Sequence, residues 1–220
     1  MRLPRELLLV VLLACTATPQ PTVTVIADAA VVAPQPIASV APVTPPKRLV
    51  GRKVLIVGDS EACAVSSYIN LKKTVKQIND DASQPYDTVN VDCKGGTVVQ
   101  YWGAGGHLRQ ALARYPKPDA VLVFLGTNHY WQSTTPPTNT VTDLLKDTNC
   151  VWVGNTAVHG KRWKINDLIR DAVTPQCKYF DTEAADIPLA DGAHPTPAGA
   201  TKWVKAVWSE IPLKYEESHE

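Results

Sequence analysis

Three residues of this sequence have the types and spacing to form a nucleophile, its base and the carboxylate that orients the base. Ser60 closes the run Val54-Leu55-Ile56-Val57-Gly58-Asp59-Ser60, in which four apolar residues stop at a glycine. Asp191 precedes His194 by three residues in Asp191-Gly192-Ala193-His194-Pro195, so a tight turn lets the carboxylate hold one ring nitrogen while the other stays available as a base. Acyl transfer also needs donors for an oxyanion. The backbone N–H groups of Ser60 and of Gly95 or Gly96, and the side-chain amide of Asn128, are of the right kind. Strand-Gly-Asp-Ser read alone is compatible with Asp59 or Ser60 acting as a helix N-cap. The conjunction of these sites points to nucleophilic catalysis.

The elements that must position these residues alternate between strand and helix patterns. Val54 to Val57 suits a strand covered on both faces. After Ser60, Val65, Tyr68, Leu71, Val75 and Ile78 recur at helical spacing, which predicts a helix to about Asn79. Val89 to Val91 is a short strand running into Cys93-Lys94-Gly95-Gly96-Thr97. His107 to Tyr115 reads as a helix, Asp119 to Leu125 as a strand ending at Gly126-Thr127-Asn128, and Thr138 to Asp147 as a helix. Cys150 to Gly154 is a strand, Trp163 to Val173 a helix and Cys177 to Phe180 a short strand. Thr196-Pro197 then opens a last helix with an N-cap and a proline at its first position. Such alternation predicts an α/β fold, a three-layer α/β/α sandwich on a five-stranded parallel sheet, with function at the carboxyl ends of the strands.

At this point the chain resembles the SGNH hydrolases, also called GDSL esterases, over about Val54 to Ile211. Gly58-Asp59-Ser60 matches the first block of that family, Gly95 or Gly96 the second, Gly126-Thr127-Asn128 the third and Asp191-Gly192-Ala193-His194 the last. The resemblance implies a flavodoxin-like fold and a serine hydrolase of carboxylic esters. It implies Ser60, His194 and Asp191 as its triad and Ser60, Gly95 or Gly96, and Asn128 as its oxyanion hole. Glu61 departs from the leucine common after the nucleophile, and His129 from the acidic residue common after Asn128. Asp59, His129, Tyr130 and Trp131 are candidates for substrate contact, the last two as an aromatic platform on a loop with Pro136-Pro137. No cofactor is expected, and no histidine or cysteine spacing implies a metal.

Composition adds location more than chemistry. A formal net charge of +1 gives no electrostatic case for nucleic acid. Arg2 and Arg5 precede the apolar run Leu7 to Ala14, too short to span a bilayer, and Cys15 ends it abruptly. This resembles a bacterial lipobox, with residues 1–14 as the signal peptide and Cys15 as the lipidated residue of an exported, membrane-anchored lipoprotein. An ordinary signal peptide cut near Ala30 is the other reading. Residues 15–49, with seven prolines between Pro19 and Pro46 among Ala, Thr and Val, read as a stiff tether. Residues 50–213 read as the hydrolase domain and 214–220 as a polar tail.

Four further cysteines in an exported chain favour pairing. Cys150 and Cys177 each sit just before a strand, Cys63 lies one turn beyond the nucleophile, and Cys93 just precedes Gly95-Gly96. Of the three connectivities, 63–93 with 150–177 is the favoured one. Short connections between the blocks, without a long apolar insertion, predict a short-acyl substrate, most simply an acetyl ester on carbohydrate. The alternatives are a lysophospholipase or thioesterase of the same family, or a non-catalytic carbohydrate-binding envelope lipoprotein. The sequence leaves the oligomeric state open.

Overall fold

A computed structural model describes residues 47–68, 87–129, 132–156 and 164–217 of the chain. Five strands form one parallel sheet: β2 (Lys53–Gly58), β3 (Thr88–Cys93), β4 (Ala120–Phe124), β5 (Asn149–Val153) and β6 (Lys178–Phe180). Their order is β3-β2-β4-β5-β6, and each neighbouring pair is parallel. Among the described residues the helices are α1 (Ser60–Tyr68), the single turn α2 (Val99–Trp102), α3 (His107–Arg114), the single turn α4 (Asn139–Thr142), α5 (Lys164–Val173) and α6 (Pro197–Trp208).

The sheet is apolar on both faces because its strands alternate between two cores. Val54 and Ile56 point to one layer, with Ala62 and Val65 of α1 and Trp203, Val204 and Val207 of α6. Leu55 and Val57 point to the other, with Trp102, Leu108, Ile165 and Ile169. All thirteen side chains are essentially fully buried. This is the expected α/β/α sandwich. Its strand order reverses direction between β2 and β4, and a crevice opens at the carboxyl ends of strands at such a reversal.

Two segments differ from the sequence reading. Lys47–Val50 (β1) and Lys214–Glu217 (β7), read as the end of the tether and the start of the tail, pair as a two-stranded antiparallel sheet. Their charges are complementary, with Lys47 opposite Glu217 and Arg48 opposite Glu216. The helix expected over residues 138–147 is only the turn α4 followed by a 3₁₀ turn at Asp143–Leu145. Its threonines bond locally to the backbone, Thr140 Oγ1 donating to the Pro137 carbonyl at 2.7 Å, which competes with a longer helix. The expected continuation of α1 to Asn79 lies outside the described residues, as do Cys15 and the signal and tether segments up to residue 46.

Candidate active site

Gly58 ends β2 where only a glycine fits. Its φ is +156°, and a Cβ there would lie 2.1 Å from the Phe124 carbonyl oxygen of β4. Asp59 N–H donates to that same oxygen at 3.0 Å. The Asp59 carboxylate then caps α1, with Oδ1 accepting the Glu61 N–H at 3.1 Å. Capping thus falls to Asp59, which leaves the Ser60 hydroxyl, at the first helical position, unencumbered by that role.

The Ser60 Oγ lies 3.2 Å from His194 Nε2, and His194 Nδ1 lies 2.8 Å from Asp191 Oδ2. The histidine stands on a loop that closes on itself. Leu189 and Pro195 form an antiparallel bridge, and Ala190 N–H donates to the His194 carbonyl at 2.8 Å. Within this loop Asp191 Oδ1 accepts the Ala193 and His194 N–H groups at 2.9 and 2.7 Å. The His194 backbone N–H, then its ring, then the Ala193 N–H hold the Asp191 carboxyl well below the usual carboxylate range. Such an acceptor fixes the tautomer with hydrogen on Nδ1 and a lone pair on Nε2 facing the serine.

The donor candidates converge on the same place. A Cβ on Gly95 would stand 4.0 Å from Ser60 Cβ, whereas one on Gly96 would meet nothing within 4 Å. Gly95 therefore adjoins Ser60, and Gly96, at φ +71°, makes the turn. The Asn128 amide donates to the Thr97 carbonyl at 2.8 Å and, more weakly, to Asp59 Oδ2 at 3.4 Å. The loop after β3 and the loop after β4 are so tied together beside Ser60. The Thr97 hydroxyl bonds the Lys94 carbonyl at 2.7 Å and accepts the Trp102 indole N–H at 3.0 Å.

A cleft of about 390 Å³ runs over the serine, lined by Ser60, Cys63, Ala64, Ser67, Gly95, Ala190, Asp191 and His194. Two cystines are present, Cys63–Cys93 and Cys150–Cys177, in the connectivity that the positions favoured. The first joins α1 to the end of β3 and so brackets the turn at Ser60 and the Gly95 loop.

Two expected substrate contacts are corrected. His129 is fully buried, accepting the Val99 N–H on Nε2 at 3.0 Å and meeting Gln132 Oε1 from Nδ1 at 2.8 Å. Both ring nitrogens are consumed in bracing α2 against the loop after β4, so the ring cannot face a substrate. Asp59 is equally buried and serves as the cap of α1. Tyr130 and Trp131 lie outside the described residues.

The sequence reading missed Thr156, which bonds both the buried Glu61 and the Ala193 carbonyl of the histidine loop. Its one signal is its place just past the carboxyl end of β5, on the functional edge of the sheet.

The chain matches no family model, and no curated protein matches it. Solved structures do match. A protein from Slackia heliotrinireducens assigned to the SGNH hydrolases superposes with a TM-score of 0.53 at 19% identity, over 73% of this chain and 98% of that one. A carbohydrate acetylesterase family member from Sinorhizobium meliloti gives 0.53 at 14% identity, over 72% and 97%. The acetyl xylan esterase AlAXEase gives 0.51 at 16% identity, over 73% and 100%. At these identities the likeness is one of fold: the chain has the α/β/α fold of the SGNH hydrolases.

Proposed function

We propose that the chain is a serine hydrolase of the SGNH type that cleaves carboxylic esters, with short-acyl, most simply acetyl, esters of carbohydrate as substrates. The observation that carries this reading is the continuous relay Asp191–His194–Ser60 at the carboxyl edge of the sheet. Ser60 Oγ attacks the ester carbonyl carbon as His194 Nε2 takes its proton. Asp191 stabilises the imidazolium that forms, and the Ser60 and Gly95 N–H groups with the Asn128 amide receive the negative charge on the former carbonyl oxygen. The Asn128 hydrogen directed at Asp59 is the weaker held of its two and the one free to turn to the oxyanion. The intermediate collapses, and His194 returns the proton to the departing alcohol. Water then repeats the sequence on the acyl-serine, releasing the acid and restoring Ser60.

The small side chains Ala64, Ser67 and Ala190 around Ser60 support a short acyl group. So do the printed names of two structural neighbours, an acetyl xylan esterase and a carbohydrate acetylesterase. Export, and anchoring through a lipid on Cys15, belong to the same proposal. Measuring kcat/KM for 4-nitrophenyl esters from acetate to palmitate, and acetate release from O-acetylated peptidoglycan and acetylated xylan, tests the substrate. The expected result is a maximum at acetate with release from at least one glycan. A maximum at eight carbons or longer with no release would replace it with the lipid-ester reading and leave the triad standing.

A further inference from the structure

Ser60 lies between two buried carboxyls, and one of them has hydrogen-bond partners that only its acid form satisfies. Glu61 is wholly buried. Its Oε1 lies 2.9 Å from Thr156 Oγ1 and accepts the Thr156 N–H at 3.3 Å, while Oε2 has no partner. Thr156 Oγ1 lies in turn 2.7 Å from the Ala193 carbonyl oxygen. A threonine hydroxyl has one hydrogen to give. Were Glu61 ionised, that hydrogen would face two pure acceptors, one short O···O contact would hold no proton, and a charged oxygen would be buried bare. A neutral Glu61 removes the conflict. Its O–H donates to Thr156 Oγ1, and the Thr156 O–H donates to the Ala193 carbonyl. Ala193 directly precedes the base, and its own N–H is bound to Asp191 at 2.9 Å.

We propose that Glu61 is a positioning residue held as the neutral acid, which through Thr156 fixes the Ala193-His194 segment and so keeps the imidazole aligned with Ser60. This rests on the esterase reading of the site. Two charged or titratable groups face the carboxyl. Asp59, on the other side of Ser60, shares the buried position, and its own carboxyl is pushed well up, first by burial and then by the charge Glu61 would carry if ionised. His194 draws the Glu61 proton away only when it is itself cationic. Burial is the largest influence on Glu61 and pushes its carboxyl above the usual range, against the pull of the Thr156 hydrogen bonds and of the nearby Thr127 hydroxyl, which itself donates to Asn155 Oδ1 at 3.3 Å. A neutral Glu61 also leaves the imidazolium formed in turnover to Asp191 alone.

The variants Glu61→Gln, Glu61→Leu, Thr156→Ser and Thr156→Val test the chain. Glutamine still offers an N–H to Thr156, and serine still offers a hydroxyl, so these two should keep kcat within about fivefold of wild type. Leucine and valine cut the chain and should lower kcat roughly 10- to 100-fold with little change in KM, as misalignment of a base does. Raising the pH until Glu61 ionises should lower the wild-type kcat, since the acid form exists only below its pKa, and Glu61→Gln should lack that fall. A folded Glu61→Gln as impaired as Glu61→Leu, or an unimpaired Thr156→Val, would overturn the proposal. The Thr156 pair decides the matter if Glu61→Leu does not fold. Infrared difference spectroscopy gives a readout free of turnover. A carboxylic-acid carbonyl band present at neutral pH in wild type should vanish in Glu61→Gln, and its absence from wild type would refute the neutral acid whether or not esters are cleaved.

Discussion

At the scale of single residues, the proposed chemistry depends on one histidine being held in one tautomer. Asp191 does this with three hydrogen bonds, two of them from the backbone of its own loop and one from the His194 ring, although its side chain is 58% exposed. The depressed Asp191 carboxyl keeps its charge well into acid, so protonation of Asp191 enters the pH profile only in strong acid. Asp191→Asn keeps the shape but not the charge and can stabilise the wrong tautomer. It should lower kcat by up to roughly 10⁴-fold, less where solvent substitutes for the carboxylate, which steady-state kinetics against the wild type will read. Asn128→Ala should cost roughly 10²- to 10³-fold in kcat while the circular dichroism stays unchanged, as for other oxyanion donors. These residues were legible because their chemistry limits what else Ser-x-…-Asp-x-x-His can be for. His129 was misread because adjacency to Asn128 in sequence is not adjacency to the cleft. The 3₁₀ turn at Thr127–His129 sends the next side chain inward, to the Val99 N–H. Glu61 was visible only as a departure from the leucine common at that place in the family the chain resembles, and its partner Thr156 lies 95 residues away, which no spacing reveals.

At the scale of elements, strands were the easiest part to read. Runs such as Val121-Leu122-Val123-Phe124 can be buried on both faces only in a central parallel strand, and β4 is fully buried along its length. The helix expected from Thr138 failed because periodicity outweighed composition in the reading. Thr140 and Thr142 satisfy backbone carbonyls three residues back, which shortens the helix to a turn. The Cys63–Cys93 bond is the element-level device closest to the candidate site, since it joins the helix that begins at Ser60 to the strand that delivers Gly95. With 30 residues between its ends, it should contribute about 3.5 kcal/mol by loop entropy alone. Denaturant unfolding of a Cys63→Ala/Cys93→Ala variant should show a loss of that order and a lower kcat. An unchanged midpoint and rate would mean that the turn and the loop hold their places without it.

At the scale of the whole molecule, the strand order β3-β2-β4-β5-β6 brings together the ends of β2, β3 and β4, and α6 begins just after the histidine loop. Residues from positions 60, 95, 128 and 194 meet because each crossover between parallel strands makes the next strand end at the same edge of the sheet. The order of the blocks was readable from sequence. The closure of β1 on β7 was not, because two short charged segments 160-odd residues apart carry no local signal of pairing. The proposed anchor belongs to this scale too. A mature protein beginning at a lipid-modified Cys15 should partition into detergent, and Cys15→Ser should release it, whereas a free N-terminus near Asp28 to Val31 would mean an ordinary secretory signal. The central claim is that one serine of the whole chain is activated for acyl transfer. Incubating the folded protein with a fluorophosphonate and mapping the adduct by peptide mass spectrometry tests it most directly. The account predicts a single phosphonylated residue, Ser60, with labelling lost in His194→Ala. Labelling at another residue, or undiminished ester hydrolysis by Ser60→Ala, would contradict it.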